Sequence, residues 1–403
     1  MSFPMADYVT SFGIATACCV VFLTYYAYSW YKFKRDMPRF PGICLPIIGN
    51  NFKNHYRNQG GELELLEDQR NLKSDAFSLY GFGITQIIVT DYKLVNEIFV
   101  TNGVKSSHRP AFPEIASEVP VTRGVAAASG RLWQLHRKET LIAFRKLGLG
   151  FSSLETQTSL EASAMLEYLS NCQNRVSIDL MKNIFATASS NMIYQLCFGK
   201  RFDYGDQRFV KILKDIETFL GYGQFDIRYF IPKWICQLPL IYSKNFEDTR
   251  NALINIKNFV VEEMSAYDSE FDDETIVGIL LKKQKTMPDE FTNDDIISSC
   301  MDYILAGTDT TSVTMTWVVH FLNNHPDSQQ KVKNEVNSVL GGRKPSYEDI
   351  NQMPILHAFI LESLRFGSTA ATSLLHKLTT DIKTSRGYIF PKNAVILAVY
   401  FIN

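Results

Sequence analysis

The sequence predicts a mostly α-helical body with small β-sheets, preceded by one N-terminal transmembrane helix. With 403 residues, of which 46% are hydrophobic and 13% aromatic, the chain can bury a sizeable core. Apolar residues recur with the helical period along most of the sequence, whereas alternating strand patterns are few. A stretch without charged residues, 8–31, has the length of a membrane-crossing helix.

The N-terminal segment indicates where the chain is located. Val9–Trp30 is largely apolar or aromatic, and a helix of that length crosses about 30 Å of hydrocarbon. A cleavable signal peptide fits poorly, because Met1–Asp7 contains an acid and no basic residue. Lys32, Lys34 and Arg35 follow directly, so the positive-inside rule places the rest of the chain in the cytosol.

The sequence divides into three parts. The predicted membrane anchor covers residues 1–31, and a proline-rich hinge follows at residues 32–50. Three prolines within nine residues of this hinge restrict the backbone and predict a stiff, irregular connector. No repeat, low-complexity stretch or second linker interrupts residues 51–403, which we predict to form one large domain.

Charge and cysteine content limit the possible functions. The 41 basic and 42 acidic residues nearly cancel, so nothing indicates nucleic acid or another strongly charged partner. The 7 cysteines are scattered, without a C-x-x-C pair or a metal-binding spacing to histidine. We therefore predict mostly packed, free thiols in a reducing compartment and no disulfide framework.

Two β-hairpins are predicted within the helical body. Ala76–Tyr80 and Ile84–Thr90 flank a glycine-containing turn, and Tyr388–Phe390 and Ala394–Val399 flank a proline-containing one. The predicted helices with the clearest period, apart from the longest one, are Asp91–Asn102, Leu132–Lys146, Ser159–Cys172, Ser177–Cys197, Arg208–Leu220 and Asp248–Tyr267.

The longest predicted helix begins near Thr292 and ends before Pro326. Thr292 and Asp295 have the spacing of a capping box, and some thirty residues give a length of about 45 Å. In its middle, Ala306–Thr311 consists of small, hydroxylated and acidic residues, which are poor choices for a buried helix. Such a break in a core element predicts a functional site.

This run, Ala306-Gly307-Thr308-Asp309-Thr310-Thr311, resembles the oxygen-activation signature of the cytochrome P-450 family, on the long helix that passes over the haem. The resemblance implies that Ala306 contacts the haem and that Gly307 leaves room for dioxygen. The hydroxyl of Thr310 would hydrogen-bond oxygen and, through its contact with the helix backbone, admit water. Asp309 would supply protons. The alternative is an ordinary helix whose hydroxyl-rich stripe faces a neighbour.

Glu362-Ser363-Leu364-Arg365 matches the E-x-x-R motif of the same family. The i,i+3 spacing puts the acid and the base on one helix face, an arrangement that is common and uninformative by itself. Its position downstream of Thr310 and before the strand at Tyr388 follows the order of the family's motifs. The resemblance implies a structural role for Glu362 and Arg365, bound to an arginine near the haem cysteine, and no catalytic role.

Trp133-Gln134-Leu135-His136-Arg137 matches the family's W-x-x-x-R motif, which holds a haem propionate. The indole N–H of Trp133 and the guanidinium of Arg137 only donate hydrogen bonds, which suits a carboxylate. A packed tryptophan beside a surface arginine is the alternative. Arg109 and His376 fall where such members place further propionate contacts, and surface or core roles are equally open for both.

The resemblance extends over essentially the whole chain, to microsomal members of the drug- and steroid-metabolising type. It implies a cytochrome P-450 fold, a haem iron cofactor and electrons from an NADPH-dependent reductase. It also implies an apolar small-molecule substrate and attachment to the lipid membrane of the endoplasmic reticulum. The aromatic and proline-rich segment Phe225–Leu240 lies where the family has a region that dips into the membrane.

The sequence departs from the family pattern at its C-terminal end. The family binds iron through a cysteine in a loop of type F-x-x-G-x-x-x-C-x-G after the last hairpin, whereas this sequence ends at Asn403. Cys197 lacks the upstream residues of that loop, and Cys300 precedes the oxygen motif on its helix. We therefore predict no metal ligand among these residues and a fold that is incomplete at the C-terminus. Glu362 and Arg365 would then lack their downstream partner, and apolar surface would be exposed.

Two functions fit these observations. The first is a haem-dependent monooxygenase that inserts one atom of dioxygen into an apolar organic substrate, which requires this sequence to be part of a longer chain. The second is a non-catalytic, truncated family member without the axial cysteine, at most a weak haem or lipid binder. Steroids, fatty acids and foreign compounds all stay open as substrates, because pocket-lining apolar residues set specificity.

Overall fold

The computed structural model describes residues 20–21, 24–41, 43–45, 49–50, 71–81, 83–112, 115–147, 152–172, 176–222, 228, 233–237, 242–267 and 274–400. Most of the predicted anchor, part of the hinge and most of the segment 225–240 lie outside these residues. Among the described residues, no helix is both long enough and apolar enough to span a bilayer.

The described residues form two compact units. The first, here called the sheet unit, contains the described residues before His108 together with Leu374–Val399. The second, here called the helical unit, contains the described residues of His108–Ser373 together with Tyr400.

The sheet unit contains a four-stranded sheet in the order β1-β2-β6-β3 and a two-stranded sheet of β4 and β5. The first predicted hairpin is confirmed, since β1 and β2 pair antiparallel with Phe77 opposite Ile88. A helix, α1 (Tyr92–Asn96), continues into a π-helical turn at Glu97–Thr101. The strands are β1 Ala76–Gly81, β2 Ile84–Val89, β3 His376–Lys377, β4 Ile382–Lys383, β5 Ile389–Phe390 and β6 Val395–Ala398.

The second predicted hairpin is wrong, although both of its strands exist. β5 pairs with β4, whereas β6 lies between β2, to which it is parallel, and β3. All four residues of β6 are buried, as expected for a strand inside a sheet. Alternation and turn residues predict that a strand forms but leave its partner open, and a long-range parallel neighbour has no local signature.

The helical unit consists of ten helices among its described residues. They are α2 Gly130–Lys146, α3 Ser152–Asn171, α4 Ile178–Phe198, α5 Gln207–Tyr222, α6 Lys233–Cys236, α7 Lys244–Ser265, α8 Ile276–Thr286, α9 Asn293–Asn324, α10 Pro326–Leu340 and α11 Pro354–Gly367. A 3₁₀ helix, Tyr347–Gln352, precedes α11. The mostly helical prediction with small sheets is therefore confirmed.

The long helix α9 runs through the core of the helical unit. Its predicted capping box is present, with the backbone N–H of Thr292 donating to the Asp295 carboxylate over 2.6 Å. Pro326 occupies the first turn of α10, so it separates two helices as predicted. Helix α4 packs antiparallel along α9, since Ser189 contacts Thr308 near one end and Cys197 contacts Cys300 further along.

Helix α11 leaves much of its apolar surface uncovered in the described structure. Leu361, Leu364 and Phe366 are exposed, while the ring of Phe366 meets Phe321 of α9 edge-on.

Candidate active site

The predicted oxygen motif lies on α9 where the helix has one covered face and one uncovered face. Thr308 is buried against α4, whereas Ala306 and Thr310 are exposed. At 100° per residue, Ala306 and Thr310 share one side of the helix and Thr308 points to the opposite side. An uncovered face in the middle of a core helix is the expected wall of a large ligand site.

The hydroxyl groups of this face engage the helix backbone. Thr310 Oγ1 donates to the carbonyl oxygen of Ala306 over 2.6 Å, and Thr314 Oγ1 donates to the carbonyl of Thr310 over 2.8 Å. Each carbonyl is also the acceptor for an amide four residues later, so the hydroxyl competes with the helical hydrogen bond. The predicted contact between Thr310 and the helix ladder is therefore present.

Gly307 on α9 faces Ile193 of α4 at close range. A methyl group on its Cα would come within 2.3 Å of Ile193 Cγ1, so a larger residue would displace either the Ile193 side chain or the helices. Close helix packing thus explains this glycine. Its implied role in leaving room for dioxygen stays a prediction.

Asp309 is a half-buried acid between α4 and α5. Burial raises the pKa of its carboxyl group, the charge of Lys182 on α4 partly opposes this, and Glu217 on α5 adds to the increase. Lys182 and Glu217 themselves form an ion pair of 2.6 Å. A carboxyl group with a raised pKa beside an exposed ion pair is suited to exchanging protons with solvent.

Trp133 and Arg137 lie on one face of α2, as the four-residue spacing predicts. The guanidinium carbon of Arg137 is 5.4 Å from the centroid of the indole ring. Trp133 is half-buried and Arg137 exposed, so both keep donor groups available at the protein surface.

Arg109 lies near the start of α2, in the loop that precedes this helix. Its backbone N–H donates to Ser129 Oγ over 2.8 Å, immediately before Gly130, the first residue of the helix. Burial lowers the pKa of its guanidinium group, which the charge of Asp302 on α9 partly opposes. The fold therefore brings Arg109 to the neighbourhood of both α2 and α9.

His376 belongs to the sheet unit, in strand β3. Its Nδ1 lies 2.6 Å from the carbonyl oxygen of Ser106, and Phe99 meets its ring edge-on at 4.7 Å. Because a carbonyl only accepts hydrogen bonds, Nδ1 carries the proton in this contact.

Glu362 and Arg365 form a two-point ion pair with each other. The guanidinium Nε and Nη2 donate over 2.8 and 2.7 Å to the two carboxylate oxygens, and both side chains are about half exposed. The hydrogen bond from Arg365 lowers the pKa of Glu362. The two charges therefore satisfy one another at the surface, and the expected cost of a half-buried unpaired charge does not arise.

Two acids of α9 make buried contacts that the sequence analysis did not predict. Asp302, one turn before Ala306, accepts a hydrogen bond of 2.8 Å from the backbone N–H of Ala126. Its carboxyl group also fits against Gly124, where a methyl group would come within 2.1 Å of Oδ2. The sequence contained one signal for a buried role of Asp302, because it is a single acid among the apolar residues of the predicted helix.

The second acid, Asp295, was predicted only as a capping residue and is also the centre of a buried network. It accepts hydrogen bonds from Arg123 Nε at 2.9 Å and Nη2 at 3.0 Å, and it contacts His136 Nε2 at 3.3 Å. His136 also contacts Ser299 Oγ at 3.2 Å. The network joins the loop before α2, helix α2 itself and the first turns of α9, so it holds the start of α9 in place.

Asp302 is predicted to make stability depend on pH near neutrality. Burial raises the pKa of its carboxyl group to about 7, although the Ala126 N–H and the Arg109 charge oppose this. Because the folded pKa exceeds the unfolded value, stabilisation is present at low pH and lost as pH rises through about 7. At 1.36 kcal/mol per pKa unit, the loss between pH 5.5 and pH 8 is about 2 kcal/mol.

Urea unfolding of the wild type and of Asp302→Asn at these two pH values measures this loss. The asparagine keeps an acceptor for Ala126 but does not titrate, so its stability should change less than that of the wild type. An equal change in both proteins would contradict the assignment.

Comparisons with known proteins identify the family of this chain. The sequence model of the family described as Cytochrome P450 matches residues 38–402. The chain is 28% identical to Cytochrome P450 2C8 of Homo sapiens over 374 residues, which cover 91% of this chain and 74% of the relative. It is 28% identical to Cytochrome P450 2D28 of Mesocricetus auratus, covering 89% and 72%. It is 29% identical to Cytochrome P450 2C3 of Oryctolagus cuniculus, covering 97% and 79%. The chain therefore belongs to the cytochrome P450 family of haem monooxygenases.

Proposed function

We propose that this protein is a haem-dependent monooxygenase that inserts one atom of dioxygen into an apolar organic substrate. The observation that supports this proposal is the difference between the two faces of α9 at its middle. Thr308 is covered by α4, whereas Ala306 and Thr310 lie on an uncovered face. A core helix with an ordinary packing role would bury apolar residues on that face.

The residues of the helical unit fit a haem. The uncovered face of α9 offers small side chains, Ala306 and Thr310, against which a flat ring can lie. Arg109, Trp133 and Arg137 supply only hydrogen-bond donors, two of them cationic, which is the chemistry that propionates require. When bound through a cysteine thiolate, such a group supplies the electron donation that favours cleavage of the dioxygen bond.

The residues of this chain would then control protons and water. Thr310 carries a hydroxyl on the uncovered face, already oriented by the Ala306 carbonyl. Burial raises the pKa of the Asp309 carboxyl group, which would exchange a proton towards the Lys182–Glu217 ion pair. We assign Thr310 to hydrogen bonding at the site and Asp309 to proton supply.

We also propose that the axial thiolate is none of the five cysteines that the structure describes. Cys197 and Cys300 are fully buried against each other, and the hydrogen bond from Cys300, together with burial, raises the pKa of Cys197. Cys172 and Cys236 donate to backbone carbonyls at 3.5 and 3.4 Å. Burial raises the pKa of Cys44 to about 11. Thiols in such environments are poor metal ligands, since the thiolate is the form that ligates.

The cellular setting follows from the same proposal. Residues 1–31 would anchor the chain in the membrane of the endoplasmic reticulum, with the body in the cytosol. An NADPH-dependent reductase would supply the electrons. An apolar substrate suits a protein held at a membrane, because such compounds partition into lipid.

A haem-retention experiment tests the proposal. Removing both donors in Trp133→Ala with Arg137→Ala should weaken haem binding at least about 10²-fold, because two charge-assisted contacts are lost, and so lower the haem that stays with the protein after gel filtration. Lys138→Ala with Arg145→Ala removes two exposed cations of the same helix and serves as the matched control. Equal haem content in the two double variants would contradict the assignment of the propionate contacts.

A reduced carbon-monoxide difference spectrum of this chain, expressed in membranes with haem precursor, tests the ligand. A strongly red-shifted Soret band would mean that one of its cysteines ligates iron, and the assignment of the buried thiols would be wrong. Absence of haem binding by any form of the chain would contradict the proposed function.

A further inference from the structure

We propose that Ser189 is a positioning residue that holds the oxygen motif of α9 in its working orientation. It acts together with Ser190 and Ile193, and these three residues on one face of α4 are here called the α4 cradle. The inference rests on the proposed function, because the orientation matters for chemistry only if Thr310 acts at the site.

The first contact of the α4 cradle is a hydrogen bond to the oxygen motif on the face of α9 that α4 covers. Ser189 Oγ donates to the carbonyl oxygen of Thr308 over 2.8 Å. The same hydroxyl lies 2.9 Å from the carbonyl of Phe185 and 3.2 Å from that of Ala186, within its own helix. All three partners are carbonyl oxygens, which only accept hydrogen bonds, and the hydroxyl has a single proton. Two oxygen atoms 2.8 Å apart repel each other unless a proton lies between them. The Ser189 proton is therefore shared with the Thr308 carbonyl.

The second and third contacts fix the same turn. Thr308 Oγ1 donates to Ser190 Oγ over 3.0 Å, and both side chains are buried. Ile193 fills the space above Gly307 so closely that a methyl group there would be 2.3 Å from Cγ1. Hydrogen bonds at Thr308 oppose rotation of α9, and the Gly307 contact opposes its sliding.

Because of the helical geometry, the contact between Ser189 and Thr308 on the covered face of α9 also determines the position of Thr310 on the uncovered face. Thr308 and Thr310 are two residues apart, so their side chains point about 200° from each other. Rotation of the turn away from α4 would therefore swing the Thr310 hydroxyl across the uncovered face. A displacement of about 1 Å is enough to lower a rate about 10²-fold when reacting groups must be aligned.

The Ser189 hydroxyl also shares its acceptor with the helix ladder. In an α-helix the carbonyl of Thr308 accepts the amide of Ser312, and Ser312 Oγ in turn donates to the carbonyl of Asp309. The motif is thus a turn whose carbonyls are engaged by hydroxyls on both sides. Ser189 is the member of this set that comes from another helix.

Hydrogen–deuterium exchange on the full chain tests the positioning contact without requiring haem. Ser189→Ala should raise the exchange of amides in residues 306–314 several-fold and leave residues 293–304 unchanged. Thr187→Val is the matched control, since its buried hydroxyl donates to Asn183 within α4. Ser189→Thr keeps the hydroxyl and should restore slow exchange.

The haem-loaded enzyme tests whether the contact serves chemistry. Lauric acid, progesterone and 7-ethoxycoumarin are offered as probes, and product and peroxide are measured for the probe that the wild type oxidises. Ser189→Ala should lower the ratio of product to peroxide several-fold, with Ser189→Thr restoring it and Thr187→Val unaffected.

Two results would overturn the inference. One is equal exchange of residues 306–314 in Ser189→Ala and Thr187→Val, and the other is an unchanged product-to-peroxide ratio in Ser189→Ala. If the wild type gives the red-shifted carbon-monoxide band of thiolate-bound haem but oxidises none of the probes, the proposed function fails for these three substrate classes, while the exchange experiment still decides whether Ser189 holds the motif.

Discussion

Replacing Thr310 by alanine is expected to separate electron consumption from product formation. The hydroxyl lies on the uncovered face of α9 and is oriented by a 2.6 Å hydrogen bond to the Ala306 carbonyl. Its loss removes the group that we assign to hydrogen bonding at the site. We expect NADPH consumption to continue, peroxide to accumulate and product formation to fall at least about tenfold. Loss of a proton-transfer group typically lowers a rate about 10²-fold or more. We expect a smaller effect here because a water molecule can replace part of the function of the hydroxyl.

Thr314→Ala provides the control for this experiment. Thr314 lies one turn further along α9 and makes the same kind of bond, from Oγ1 to the Thr310 carbonyl over 2.8 Å, but its hydroxyl also contacts Thr369. Both variants remove one methyl and one hydroxyl from the same helix. Product yield that stays coupled to NADPH in Thr310→Ala, or that falls equally in both variants, would refute the role of Thr310.

Local signals in the sequence were sufficient for the elements that carry the site. The capping residues Thr292 and Asp295 and the stop at Pro326 predict α9, and the structure places it at Asn293–Asn324. The W-x-x-x-R and E-x-x-R motifs depend only on helical spacing, so the pairing of Arg137 with Trp133 and the one-face arrangement of E-x-x-R follow from local geometry.

Long-range partners could not be predicted in the same way. The strand at Val395–Ala398 was predicted, but its parallel pairing with Ile84–Val89 joins segments some three hundred residues apart. The motif predicted Gly307 as a residue that leaves room for dioxygen. The structure shows a second reason for a glycine at this position, which is the close contact with the Ile193 side chain of α4. Contacts between distant segments depend on tertiary packing, which a single sequence does not encode locally.

The partners of the buried polar groups could not be predicted from the sequence either. His136 falls inside a recognised motif and Asp295 inside a recognised cap, so each had a sufficient local explanation. Only the fold shows that Arg123 and His136 both contact the Asp295 carboxylate. Glu362 and Arg365 are about half exposed and pair with each other, which their helical spacing allows.

Replacing Asp295 by asparagine is expected to cause a large loss of stability. The carboxylate is fully buried and is contacted by Arg123, His136 and both the backbone and hydroxyl of Thr292. Asparagine would turn an N–H donor towards some of these donors and remove the charge that balances Arg123. Breaking a fully buried pair costs about 3–5 kcal/mol, and the Arg123 side chain is 38% exposed, so the free energy of unfolding should fall by about 2 kcal/mol at pH 7.

The pH dependence distinguishes this loss from a simple packing defect. Burial by itself would raise the pKa of Asp295, but hydrogen bonds from His136, Arg123 and Thr292 outweigh it, and the pKa is lowered. Because the folded pKa lies below the unfolded value, the carboxylate stabilises the fold above about pH 4 and this contribution is lost as pH falls further. The advantage of the wild type over Asp295→Asn should therefore shrink in acid.

Asp294→Asn is the matched control, because it removes an exposed acid from the same first turn of α9. Its effect should stay within about 0.5 kcal/mol, the usual range for a surface substitution near a helix start. Urea unfolding of the three proteins at pH 7 and at about pH 2.5 gives the comparison, because the contribution of the Asp295 carboxylate is lost only below about pH 4. If Asp295→Asn behaves like Asp294→Asn, then the network around Asp295 does not hold the start of α9, and the oxygen motif must be positioned from α4 alone.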